Sequence, residues 1–367
     1  MLERLKESFA RLNCCARDEM GWNRIRNQFA KLRSRAGSGK DSGGYSVVYL
    51  HEGFVNPGDG YAYIGTRHCV QNSIPVVAEK SISLARDLDR ALLRESGEPD
   101  LIVVAGAPWL WDRAPESTKL ERLNRLFDVW PHPASIAFGI GSCLLPPMAR
   151  MLDDPVFSGA CVPEIFSTFD CVTERDEIAR DLFQRAGVAS FHEPDPAFFV
   201  PMISLAQPAM KRGAVIATPP TTHFLADYIN DEARSSWDTI VRKSVEEGFD
   251  LFLWADDDDE NYPPYSGLKI SGRLGILPPR ALPMALSQYR EVRTNRVHAA
   301  VLSRGLGIPA TLFGYDTRAL TAGALGAHVI GPMTEFASHE VFSIADRKQH
   351  LRRVARRLAN AIRLDVR

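Results

Sequence analysis

The sequence has 367 residues, 45% of them hydrophobic and 24% charged, with a formal net charge of −1. That is the composition of a folded protein, which excludes disorder and fibrous repeats, and the length exceeds what one core ordinarily holds, so two domains are expected. Near-neutral charge excludes the overall basic footprint of a nucleic-acid binder, six scattered cysteines without CxxC spacing exclude a disulfide framework or zinc site, and no apolar run approaches the roughly 20 residues of a membrane span.

Residues 1–44 form a basic extension. Leu2, Leu5, Phe9 and Leu12 recur at helical spacing, and a glycine-rich linker follows from Ala36 to Gly44. A basic helix docked on its own domain is the simplest expectation, with peripheral contact on an anionic membrane surface as the alternative. The expected location is the cytoplasm, with the thiols reduced.

From Tyr45, short β-branched runs alternate with helical patterns: Ser46–Leu50, Pro75–Ala78, Leu101–Ala105, Ser135–Phe138 and Phe169–Val172. Continuous apolar strands separated by helices predict a parallel sheet covered on both faces, which makes residues 45–200 a Rossmann-like domain. The pattern pauses over residues 201–213, a linker. It restarts with Ala214–Ala217, Leu251–Trp254, Ala310–Phe313 and His328–Ile330, so residues 214–335 form a second Rossmann-like domain. Residues 336–367 hold a terminal amphipathic helix, with Leu351, Val354, Leu358 and Ile362 on one face.

Ligands of open α/β sheets bind beyond the carboxyl ends of the strands. Three glycine-bearing loops are expected there: Asn56–Gly60, Ala105–Trp109 and Gly139–Gly141. Glycine permits close approach of backbone to a ligand, or serves only a tight turn. Arg175 and Asp176 follow the strand Phe169–Val172 and open a helix. An arginine beside a helix N-terminus favours a carboxylate or phosphate, unless it merely pairs with Asp176. The segment His192–Ala197 carries Asp195 between two prolines, which predicts an extended strand end. Arg296 and His298 open a helix that leads to Gly307-Ile-Pro309, so cation, imidazole and helix dipole converge on one point able to bind a phosphoanion and move a proton. The acidic run Asp256–Glu260 is expected to be a solvated loop rather than a metal site, although Asp256 could serve as a base near the cleft. Trp109, Trp111 and Tyr265 could stack on a sugar ring or pack in the core.

The pieces Thr173-Glu-Arg-Asp176, Asp195-Pro-Ala197 and Thr294-Asn-Arg-Val-His298 through Gly307-Ile-Pro309 resemble, in order and spacing, the polysaccharide pyruvyl transferase family. Asn56-Pro-Gly-Asp59 and Asp100–Gly106 are weaker echoes. The resemblance implies the B-type glycosyltransferase fold and transfer of the enolpyruvyl unit of phosphoenolpyruvate onto hydroxyls of a sugar or lipid-linked oligosaccharide. It places Arg175, Arg296 and His298 at the donor. Ketal formation needs a proton at C3 of the enol, for which His298 is the candidate catalytic acid, and Asn56, Asp59 and Asp195 are candidates for further substrate binding. Where the family often has a lysine, this sequence has Tyr315-Asp-Thr-Arg318, which puts Arg318 in that place. No cofactor or metal is expected. The alternatives are a nucleotide-sugar glycosyltransferase of the same fold and a non-catalytic sugar-phosphate binding protein.

Overall fold

The computed structural model describes residues 43–364, apart from 53–55, 85–89, 107, 112–117, 132, 155–160, 201–210, 223–225, 256–257, 276–280 and 337–340. The basic extension, almost all of the linker and Asp256 therefore lie outside the described residues.

Two parallel sheets carry the fold. The first is ordered β2-β1-β3-β5-β6-β7, from Val76–Ser83 (β2), Tyr45–His51 (β1), Leu101–Ala105 (β3), Ala134–Cys143 (β5), Cys171–Glu174 (β6) and Phe191–His192 (β7), with Pro108–Trp111 (β4) paired beside β5. Every residue of β3 and of β5 is buried, as expected for strands covered on both faces. The second sheet is ordered β10-β9-β8-β11-β12-β13, from Ile270–Arg273 (β10), Asp250–Leu253 (β9), Ala214–Ala217 (β8), Val292–Thr294 (β11), Ala310–Phe313 (β12) and His328–Ile330 (β13). Its order reverses between β8 and β11, and that of the first sheet between β1 and β3. Such reversals open a crevice at the carboxyl ends of the strands.

Two helices start at those crevices: Pro57–Gln71 after β1, and Val297–Gly305 after β11. They meet each other and the 3-10 turn Pro196–Phe199 between them. Tyr61, Cys69, Phe198, Phe199, Ala299 and Leu302 belong to one apolar cluster that runs unbroken from the first domain into the second. The last helix, Arg347–Leu364, buries Val354, Leu358 and Ile362 and packs back on the Pro57–Gln71 helix of the first domain. Glu193, wholly buried, receives Arg353 at 2.7 Å and also Arg357 from this helix. No helix among the described residues is long and apolar enough to cross a membrane. Cys69, Cys143, Cys161 and Cys171 are free thiols.

Strands β4 and β10, of four residues each with little alternation, are not legible in the sequence. Two expectations are corrected. Gly139–Gly141 is not a loop but the interior of β5, where Gly139 adopts φ 68° at a bulge and its N–H donates to the Thr173 hydroxyl at 2.7 Å. Asp195-Pro-Ala197 does not extend β7: Asp195 instead caps a 3-10 turn by accepting from Ala197 N, because proline suits the first position of such a turn.

Candidate active site

The glycines around the cleft, Gly58 and Gly65 in the Pro57–Gln71 helix and Gly139 and Gly141 in β5 among them, make room for protein, not for ligand. A Cβ on Gly65 would sit 1.7 Å from the Pro196 carbonyl oxygen, one on Gly139 2.3 Å from Pro196 Cδ and one on Gly106 2.9 Å from Pro196 Cγ. Pro196 is thus seated in a space that three glycines leave open. A Cβ on Gly141 would fall 2.4 Å from Arg175 Nε, and one on Gly58 2.1 Å from His298 Nδ1. Both side chains lie directly on backbone.

Arg175 is only 1% exposed. Its partner is not Asp176, which caps the Glu177–Arg185 helix and accepts from the backbone N–H and hydroxyl of Ser142 at 2.8 and 2.7 Å. Arg175 Nη1 donates instead to Asp195 Oδ2 at 2.7 Å, while its Nε and Nη2 meet no acceptor among the described residues. Two buried donors without a partner in the protein require explanation, and an anionic ligand supplies one.

From the second domain, Arg296 stands at the N-cap of the Val297–Gly305 helix, its N–H held by Thr294 Oγ1 at 2.9 Å. Its Nη2 donates to Asn56 Oδ1 at 3.3 Å across the cleft. The same oxygen accepts from Gly58 N at 3.1 Å and from Trp254 Nε1 at 3.0 Å. Asn56 therefore caps the Pro57–Gln71 helix and ties the two domains together. Asp59, in the first turn of that helix, is half-buried, and its charge acts on Arg296 and Arg318.

His298 joins both halves. Its Nε2 is 3.4 Å from Arg175 Nη1 and 3.7 Å from Asp195 Oδ2, and its side chain is 11% exposed. Burial pushes its pKa down from 6.5 to about 4; Arg175, Arg296 and Arg318 push the same way, and Asp195 opposes them. At neutral pH the ring is uncharged. Arg318 is held as a fork on Asp316, Nε to Oδ1 at 2.7 Å and Nη2 to Oδ2 at 2.6 Å. Its loop is docked on the first domain by Thr317, which donates its N–H to Leu144 O at 2.9 Å and whose hydroxyl accepts from Leu144 N and lies 2.7 Å from Ser142 Oγ.

Seven residues singled out from the sequence, Asn56, Asp59, Arg175, Asp195, Arg296, His298 and Arg318, thus gather in one cleft. Trp109 and Tyr265 do not join them; both are buried in the cores, and the Trp111 side chain lies outside the described residues. In the acidic run, Asp258 turns inward to accept from Thr218 Oγ1 at 3.1 Å and Ala255 N at 2.8 Å. Among the described residues no three His, Cys, Asp or Glu side chains are grouped to hold a metal. Sequence reasoning missed Trp254, Thr317 and Ser142, because each acts through a contact with the other domain, and Asp316, which acts by holding its near neighbour Arg318. Asn295, beside the recognised Arg296, was a nearer miss: its side-chain amide exchanges two bonds with the backbone of Thr218 and locks β11 to the end of β8.

The family model for polysaccharide pyruvyl transferase matches residues 20–317, most of the chain. The chain belongs to the polysaccharide pyruvyl transferase family. Members are transferases, and the matched span takes in every one of the seven site residues except Arg318. No curated protein matches this pyruvyl transferase family member. Among solved structures it is similar to the UDP-GlcNAc 2-epimerase of Methanocaldococcus jannaschii in complex with UDP-GlcNAc and UDP, at 9% identity, over 87% of this chain and 99% of that one, with a TM-score of 0.51. The S. aureus MnaA structure with UDP is likewise 9% identical, over 86% and 91% of the two chains, with a TM-score of 0.51. Identity that low speaks for the shared two-domain fold alone.

Proposed function

We propose that this pyruvyl transferase family member moves the enolpyruvyl unit of phosphoenolpyruvate onto two hydroxyls of a sugar or lipid-linked oligosaccharide, as a ketal. The observation that carries the reading is the meeting of Arg175, with two buried unpaired donors, and Arg296 of the opposite domain around His298. Phosphoenolpyruvate has two anionic groups, a carboxylate and a phosphate, which suit two arginines on facing walls.

The imidazole is neutral in the free enzyme. A bound phosphate dianion favours its charged form, so His298 gains its proton when the donor is present. Transfer of that proton to C3 consumes the enol double bond and leaves C2 electron-poor. One sugar hydroxyl adds to C2 and returns its proton to the imidazole. A second hydroxyl then displaces phosphate from C2, its proton leaving with the phosphate, so one donor and one diol give one ketal and one inorganic phosphate. The scheme uses no cofactor or metal. Lys348, Arg352 and Arg356, exposed at intervals of four on the last helix, are where peripheral contact with an anionic membrane would be made.

The test is phosphate release from phosphoenolpyruvate with candidate acceptors, with products weighed by mass spectrometry. Acceptor-dependent release and a product heavier by one ketal-linked pyruvate are expected. Sugar transfer from a nucleotide sugar, with no release from phosphoenolpyruvate, would overturn the reading in favour of a glycosyltransferase.

A further inference from the structure

The geometry points to Asp195 as a positioning residue, which does not itself hold substrate but fixes Arg175 against His298 and sustains the charged form of the imidazole. The inference rests on the donor and acid roles proposed above. Both oxygens of Asp195 are committed within the protein. Oδ1 accepts from Ala197 N at 2.7 Å and Oδ2 from Arg175 Nη1 at 2.7 Å, in a side chain with no exposed surface. The same Oδ2 lies 3.7 Å from His298 Nε2, and Arg175 Nη1 lies 3.4 Å from that nitrogen, so carboxylate, guanidinium and imidazole form a closed triangle. The corner is rigid because Pro196, next in the chain, is packed against the backbone of Gly65, Gly106 and Gly139.

The charges around the ring give the triangle its consequence. Arg175, Arg296 and Arg318 all oppose a charge on His298, and Asp195 is the group that favours it. Asp59, on the helix whose Gly58 lies against Nδ1, acts on Arg296 and Arg318. An anion within about 4–6 Å favours the protonated form of an imidazole by a unit or more, so removing this one leaves three cations facing a ring that must carry a proton.

The experiment is Asp195→Asn, which keeps an oxygen for Ala197 N and the volume of the side chain; Asp195→Ser serves if a melting curve shows the first variant unfolded. Three results are expected with phosphoenolpyruvate as donor. kcat at pH 7 falls about tenfold or more, the alkaline midpoint of the kcat profile, where the acid loses its proton, moves down by about one unit, and donor affinity is no weaker than in the wild type. A superimposable profile, or lost donor affinity with kcat intact, would overturn the inference and return Asp195 to a binding or purely architectural role. A turnover-independent measurement separates this from the reaction itself: the His298 imidazole is titrated by NMR in the presence of inorganic phosphate. A lower midpoint in the variant supports the inference even where phosphoenolpyruvate proves not to be the donor. Coincident titrations sink it even where the donor is right.

Discussion

His298 is where burial, charge and chemistry are most tightly joined. As the proton donor it is separable from the arginines: His298→Gln retains a hydrogen-bonding amide but no transferable proton. Turnover should fall about 10²-fold or more, while donor affinity changes less than about tenfold, read from kcat and a binding isotherm. The same residue has a stability signature. Its folded pKa of about 4 lies below its ordinary 6.5, so the unfolded chain binds this proton first. Stability from this group is therefore full above about pH 6.5 and is lost as pH falls toward 4, by up to about 3 kcal/mol. In urea unfolding, the decline between those limits should be shallower for His298→Gln than for the wild type; parallel curves would refute a neutral buried imidazole. Gly141 offers a test that leaves every charge in place. An added methyl would stand 2.4 Å from Arg175 Nε, so Gly141→Ala should weaken donor binding, with the loss of charge-assisted contacts worth about 1.5–3 kcal/mol. Unchanged affinity would mean that Arg175 can shift freely.

At the scale of elements, the last helix is the least expected partner of the first domain. Its apolar face could have covered either sheet, yet Glu193 beyond β7 draws in Arg353 and Arg357 and selects the first domain. Both arginines keep a third or more of their side-chain surface in solvent, which screens the attraction. Glu193→Gln should thus lower unfolding free energy by about 1–2 kcal/mol, measured by urea denaturation. An unaltered curve would assign the docking to Val354, Leu358 and Ile362 alone.

At the scale of the whole molecule, the domains meet around the cleft at Asn56 with Trp254 and Arg296, at Ser142 with Thr317, at His298 with Arg175 and Asp195, and along the apolar seam of Phe198 and Ala299. A donor bridging Arg175 and Arg296 adds a further link. At about 100 times its dissociation constant such a ligand stabilises by about 2.7 kcal/mol. A thermal-shift series should therefore show phosphoenolpyruvate raising the melting temperature and UDP-GlcNAc leaving it unchanged. The reverse order would favour a nucleotide-sugar enzyme.

The sequence by itself determined the two sheets and the strand ends that matter. Runs such as Leu101–Ala105 and Ala214–Ala217 are apolar throughout, and only a strand covered on both faces is served by that pattern. Residue types and spacing likewise singled out Arg175, Arg296 and His298, because a cation or imidazole at a strand end beside a helix start has few structural uses. What the residues do to one another was decided by tertiary structure. Arg175 pairs with Asp195 rather than with its neighbour Asp176, since the Asp176 carboxylate is already occupied by the helix N-terminus and Ser142. Gly106, Gly139 and Gly141 serve Pro196 and Arg175 rather than a ligand, and a glycine's sequence does not say which neighbour needs the space. Strands of four residues such as β4 and β10 carry too little periodicity to be seen locally and exist because the adjoining strands offer them a ladder. Local chemistry is written residue by residue, but partnership between residues far apart in the chain arises only when the cleft closes.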